Sequence, residues 1–74
     1  MRRIAHLIRK EFLELRARTE AGKRSFLDDY GATNEAEFFA VATEAYFIQP
    51  TELRRHEPSL HAILADFYRF EPPA

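Results

Sequence analysis

Apolar side chains recur along the first third of the chain at a helical interval. Ile4, Ile8, Phe12 and Leu15 form one stripe, with Ala5 and Leu13 beside it and charged residues between. That spacing predicts an amphipathic helix over residues 2–20, stopped by Gly22. A second apolar run, rich in alanine and aromatics, reaches Phe47 without Gly or Pro. Asn34 precedes it, and Glu37 stands three residues after Asn34. An asparagine oxygen can accept one of the unpaired amides of a helix start, and a glutamate three residues on completes a capping box. A helix over 34–47 follows. Gln49-Pro50 ends it, because the residue before proline avoids helical geometry. Pro50 then suits the first turn of a short helix, 50–56. Pro58 opens a last helix, 58–70, whose stripe is Leu60, Ile63, Leu64, Phe67 and Phe70. Pro72-Pro73 end the order.

These patterns predict an all-α fold, a small bundle of about four helices with no sheet. Its expected core is Ile8, Phe12, Leu15, Phe38, Ala42, Ala45, Leu60, Leu64 and Phe67. Residues 21–33 form a connection in which Phe26 and Leu27 anchor to the core and Asp28, Asp29 and Gly31 form turns. So long a connection in so small a domain is a place to look for function. Tyr30 stands at its exit; composition alone reads it as a partly buried aromatic.

Composition narrows the function. The 74 residues make one domain at most, or a fragment of one, and a core of that size supplies only a few kcal/mol of net stability. There is no cysteine, which removes disulfides, thiolate metal sites and thiol nucleophiles together. No apolar run approaches the ~20 residues of a bilayer span, and the N-terminus does not read as a signal peptide. The expectation is a soluble cytoplasmic protein without membrane contact. Net charge is −1, but residues 1–24 carry +5 and residues 25–74 carry −6. A basic helix facing an acidic remainder explains this better than a nucleic-acid arm, since Glu11, Glu14 and Glu20 interrupt the basic residues and Glu14–Arg18 has a favourable helical spacing. Ten aromatics exceed what so small a core easily hides, and suggest a homo-oligomer or a loosely packed monomer.

The candidate chemistry lies on the central helix. Glu37 and Glu44 are seven residues apart, which puts both on one face about 10 Å apart. His6 reads as a surface or boundary residue. His56 and His61 are five apart across Pro58, a spacing that does not bring two imidazoles to one face, so neither is read as a metal ligand. There is no Gly-rich phosphate loop and no Ser/His/Asp set arguable from spacing.

The segment Tyr30-Gly31-Ala32-Thr33-Asn34-Glu35-Ala36-Glu37-Phe38-Phe39-Ala40 resembles the stretch after the zinc-binding helix in anthrax lethal factor and related zinc peptidases. The wider pattern, through Val41-Ala42-Thr43-Glu44-Ala45-Tyr46-Phe47, Gln49-Pro50, Leu53, Pro58, Leu60 and Phe67-Tyr68, resembles the C-terminal part of the Mlc titration factor A (MtfA) family over residues 8–72. Those are zinc-dependent peptidases with aminopeptidase activity. In them a His-Glu-x-x-His helix gives two zinc ligands and a general base, and a glutamate on a later helix gives the third ligand. The resemblance implies that Glu37 is that ligand. It implies that Tyr30 donates to the oxyanion of the tetrahedral intermediate. Both roles suit the chemistry, since catalytic zinc takes three protein ligands and a phenol helps where negative charge develops. For Glu44 it leaves two readings, a hydrogen-bond partner behind a ligand or one at the edge of the core.

The chain departs from the family pattern in one large respect: it contains no His-Glu-x-x-His. Two smaller departures are Glu35, where relatives often carry proline, and Val41, where lethal factor has an acidic residue. Two readings follow. The chain is the C-terminal portion of a longer zinc peptidase, inactive alone, acting on peptides when complete. Alternatively it is a non-catalytic helical interaction module that retains a surface for a protein partner such as a transcriptional regulator.

Overall fold

The computed structural model describes residues 2–70 and 72–73, with the side chain of Arg2 left aside. Four helices follow in order: α1 (Arg2–Glu20), α2 (Glu35–Ile48), α3 (Pro50–His56) and α4 (Pro58–Tyr68), with a short 3-10 turn, Asp29–Ala32, before α2. No strand occurs among the described residues. The fold is all-α, as the periodicity predicts.

The helix boundaries follow from local chemistry. Gly22 takes φ +75°, and the amides of Gly22 and Lys23 reach back to the carbonyls of Thr19 and Arg18 at 3.0 and 2.9 Å, closing α1. Asn34 is extended, and its side-chain oxygen accepts the Glu37 amide at 2.9 Å. Gln49 ends α2 and begins α3, and Glu57 does the same between α3 and α4, each followed by a proline in the first helical turn. The last helix stops two residues short of the expected Phe70. Arg69 adopts a left-handed conformation (φ 53°) and gives its amide to the Ala65 carbonyl. The chain then turns, so that the Phe70 carbonyl accepts the Tyr46 hydroxyl.

The core holds Ile8, Phe12, Leu15, Leu27, Phe38, Ala42, Tyr46, Leu53, Leu60 and Leu64. Seven of these were expected as core residues, and Leu27 as the anchor of the connection, with Phe26 packed beside it. Ala45 and Phe67, also expected there, are only half-buried; Phe67 meets Phe39 edge-on, 5.7 Å between ring centres. Tyr46 and Leu53 lie outside the expected set, yet both are fully buried. Leu53 lies on α3, which packs against both α4 and α2, and Tyr46 lies on α2, which is packed on several sides, by α1, by the 3-10 turn and by α3 and α4. One helical stripe therefore understates its buried surface. His61 also lies in the interior, its ring 5.3 Å from that of Tyr46.

Candidate functional site

Two caps in succession place the candidate residues. The backbone of Asp28 is extended, and its carboxylate accepts the Tyr30 amide at 2.8 Å, which starts the 3-10 turn. The Gly31 amide then bonds the Asp28 carbonyl at 2.9 Å, and the Thr33 amide the Tyr30 carbonyl at 3.1 Å. Gly31 is buried where this turn meets the helices: a Cβ built on it stands 3.3 Å from Leu15 Cδ2 and 3.7 Å from Phe38 Cα. The missing side chain lets the turn sit tightly on α1 and α2. One residue beyond Thr33, Asn34 caps α2 and fixes Glu37 in its first turn.

The outcome is that Tyr30 and Glu37, seven apart in sequence, lie near enough for the carboxylate to act on the phenol. The Tyr30 phenol is raised above its ordinary pKa of 10.0, first by its hydrogen bond to the Glu37 carboxylate, then by that carboxylate's charge, and last by slight burial. Glu37 is half-buried, while Tyr30 is 57% exposed. The partly buried aromatic expected from composition is thus corrected: the side chain is exposed, because the turn that carries it packs through Gly31 instead. Both side chains stay open to approach from solvent.

Glu44 is exposed, one and two turns beyond Val41 and Glu37. It lines an open groove of about 310 Å³ between α2 and residues 26–28, together with Phe26, Leu27, Asp28, Val41, Ala45, Ile48 and Gln49. Glu35, beside the site, is held by Arg9 of α1 at 2.6 Å. The histidines are dispersed. His6 is exposed on α1, His56 stacks on Phe26 at 5.0 Å, and His61 packs in the core. Among the described residues no three His, Asp or Glu side chains gather where they would hold a metal ion.

Sequence spacing alone misses two features here. The burial of Gly31 has no pattern of its own, although a glycine between two turn formers and a cap signals a close approach. The groove beside Glu44 arises from the 26–28 segment crossing α2, a tertiary event.

Similarity to known proteins follows the same segment. The family model for the glucose-regulated metallo-peptidase M90 matches residues 1–69. The uncharacterized protein slr2042 of Synechocystis sp. is 39% identical over 62 residues, which are 84% of this chain and 22% of that protein. The chain therefore spans under a quarter of the length of this curated relative. No solved structure matches it. With the family model covering nearly the whole chain, through the Tyr30–Glu37 segment, the chain belongs to the glucose-regulated metallo-peptidase M90 family.

Proposed function

We propose that these residues are the C-terminal part of a cytoplasmic zinc-dependent peptidase of aminopeptidase type, with Glu37 as the third zinc ligand and Tyr30 as the hydrogen-bond donor to the reacting carbonyl oxygen. The observation that carries the reading is the nearness of Tyr30 to Glu37 on a doubly capped framework, in a chain of a metallo-peptidase family.

A catalytic zinc takes three protein ligands and keeps one open position. This chain offers one carboxylate at the proposed place, so it fits one position of such a site and not the whole. Zinc, when bound, acidifies a water and polarises the peptide carbonyl. Glu37 contributes a negative oxygen ligand from the first turn of α2, where the Asn34 cap limits its movement. Tyr30 contributes an O–H that donates a hydrogen bond and keeps its proton. A phenol is protonated, the state in which it donates, across the whole neutral range. The other ligands and the general base come, in this reading, from a His-Glu-x-x-His segment outside these 74 residues.

The experiment has two parts. Calorimetric zinc titration and a fluorogenic peptide assay on the 74-residue chain are expected to show neither tight binding nor cleavage. In a longer protein that also carries the His-Glu-x-x-His segment, Glu37→Gln should weaken metal binding, and Tyr30→Phe should lower turnover with the metal retained. Sub-micromolar zinc affinity and Glu37-dependent hydrolysis in the short chain would overturn the reading of a partial site.

A second reading, a non-catalytic module that binds a protein regulator or another copy of itself, is favoured by the exposed apolar side chains at one end of α2 and α4. Phe47 is 42% and Phe70 53% exposed, and their rings stack 6.2 Å apart.

A further inference from the structure

Beyond Glu37, α2 carries a stripe that the core does not use up: Val41, Glu44 and Ile48, four, seven and eleven residues on. It runs roughly 16 Å along the helix axis. Ile48 is 73% exposed. The groove alongside has an apolar floor of Phe26, Leu27, Val41, Ala45 and Ile48, and two carboxylates, Asp28 and Glu44, at its walls. Among the described residues no lysine, arginine or histidine lines it. One Asp28 oxygen is engaged by the Tyr30 amide. Glu44 has no ion pair or side-chain hydrogen bond among the described residues.

This combination selects its occupant by charge. An acidic segment is repelled by two carboxylates over a surface that cannot neutralise them, and a purely apolar one leaves Glu44 to be covered without a partner. A lysine or arginine satisfies both needs, since its methylene stem lies on the apolar floor and its cationic head meets Asp28 and Glu44. The straight stripe from Glu37 to Ile48 matches a helix packed lengthwise on α2. We propose that this groove docks an α-helical segment with an apolar stripe and a lysine or arginine within it, and that Glu44 anchors that cation. The proposal rests on the reading of Glu37 as one ligand of a shared site, since whatever brings the remaining ligands must approach α2 along this same face. It gives Glu44 a role in docking, apart from metal binding.

The test uses the isotopically labelled 74-residue chain and two synthetic helical peptides of leucine and alanine, one with a central lysine and a twin with glutamate there. Amide shifts should move at Val41, Ala45 and Ile48 with the lysine peptide, which should bind at least about tenfold more tightly than its twin. Glu44→Gln should remove most of that difference, and Ile48→Glu should weaken the lysine peptide without unfolding the chain, because the side chain is exposed. Equal binding of the two peptides overturns the proposal. So do shifts centred on Leu13 or on Phe47 and Phe70. Concentration-dependent shifts of the groove residues without any peptide would assign the groove to a second copy, and also overturn it. None of these measurements involves zinc, so a failed docking result leaves the Glu37 reading to its own metal titration.

Discussion

Tyr30 and Glu37 are coupled by one hydrogen bond and one charge, and the coupling has a measurable sign. The carboxylate favours the protonated phenol, so folding holds the Tyr30 proton to higher pH than the unfolded chain does. The folded state therefore binds more protons between the ordinary value of 10.0 and the raised one. This contribution to stability is complete below the ordinary value and is lost as pH rises through the folded one. Glu37→Gln keeps an acceptor oxygen but removes the charge, and should move the Tyr30 pKa back towards its ordinary value. Titration of ring-labelled tyrosine by nuclear magnetic resonance, with Tyr46 and Tyr68 as internal references, reads this directly. An unchanged Tyr30 pKa in that variant would show that the pair is not in contact in solution. The possibility of this contact was legible only through the family resemblance. Spacing says that residues 30 and 37 straddle a helix start, and nothing about a seven-residue interval across a loop makes two side chains meet.

The elements were more legible, and for a physical reason: caps and breakers act within four residues. Asn34, Gly22, Pro50 and Pro58 each exert their effect on their own neighbours, so the starts and stops of the helices could be read in order. Asn34→Ala removes the oxygen that accepts the Glu37 amide at 2.9 Å. It should cost about 1 kcal/mol in chemical denaturation, whereas Asn34→Asp should cost little. What local signals do not carry is how many neighbours a helix has. Tyr46 is buried because α4 and the chain after it close over that side of α2, and Leu53 because α3 packs against both α2 and α4; neither residue announces this. Helix α1 shows a second tertiary effect. Half-buried Glu11 has its pKa raised, first by loss of hydration and then by the like charges of Glu14 and Glu57. The folded state then binds more protons than the unfolded one, and Glu11 opposes folding at pH values above its raised pKa. That penalty disappears as pH falls through the folded value towards the ordinary 4.5. Glu11→Gln should thus stabilise the chain at neutral pH by less than about 1 kcal/mol, since solvent screens a half-exposed group. The gain should vanish below pH 4.5 in denaturation curves followed by circular dichroism.

At the scale of the whole molecule the charge asymmetry and the aromatic excess have different outcomes. The basic first helix is drawn to the acidic remainder by the Arg9–Glu35 and Arg18–Glu57 ion pairs, at 2.6 and 3.6 Å. The aromatics are not all absorbed. Tyr46 and Tyr68 stack 5.8 Å apart, and Phe47 lies against Tyr68, but Phe47 and Phe70 keep much of their surface in water. Their ring-on-ring stack makes one continuous apolar ledge, not two isolated side chains. Burying such a ledge is worth roughly 25 cal/mol for each Å² removed from water, enough to drive weak association but not a tight dimer once the cost of immobilising two molecules is met. Sedimentation velocity should therefore show a weight-average mass that rises with concentration. The double variant Phe47→Ser with Phe70→Ser should hold the monomer mass over the same range. It should leave the helical signal unchanged, because the Phe70 carbonyl that accepts the Tyr46 hydroxyl belongs to the backbone and survives the substitution. A wild-type chain that stays a compact monomer at high concentration would show that the ledge does not associate with itself, and would leave it to a different partner.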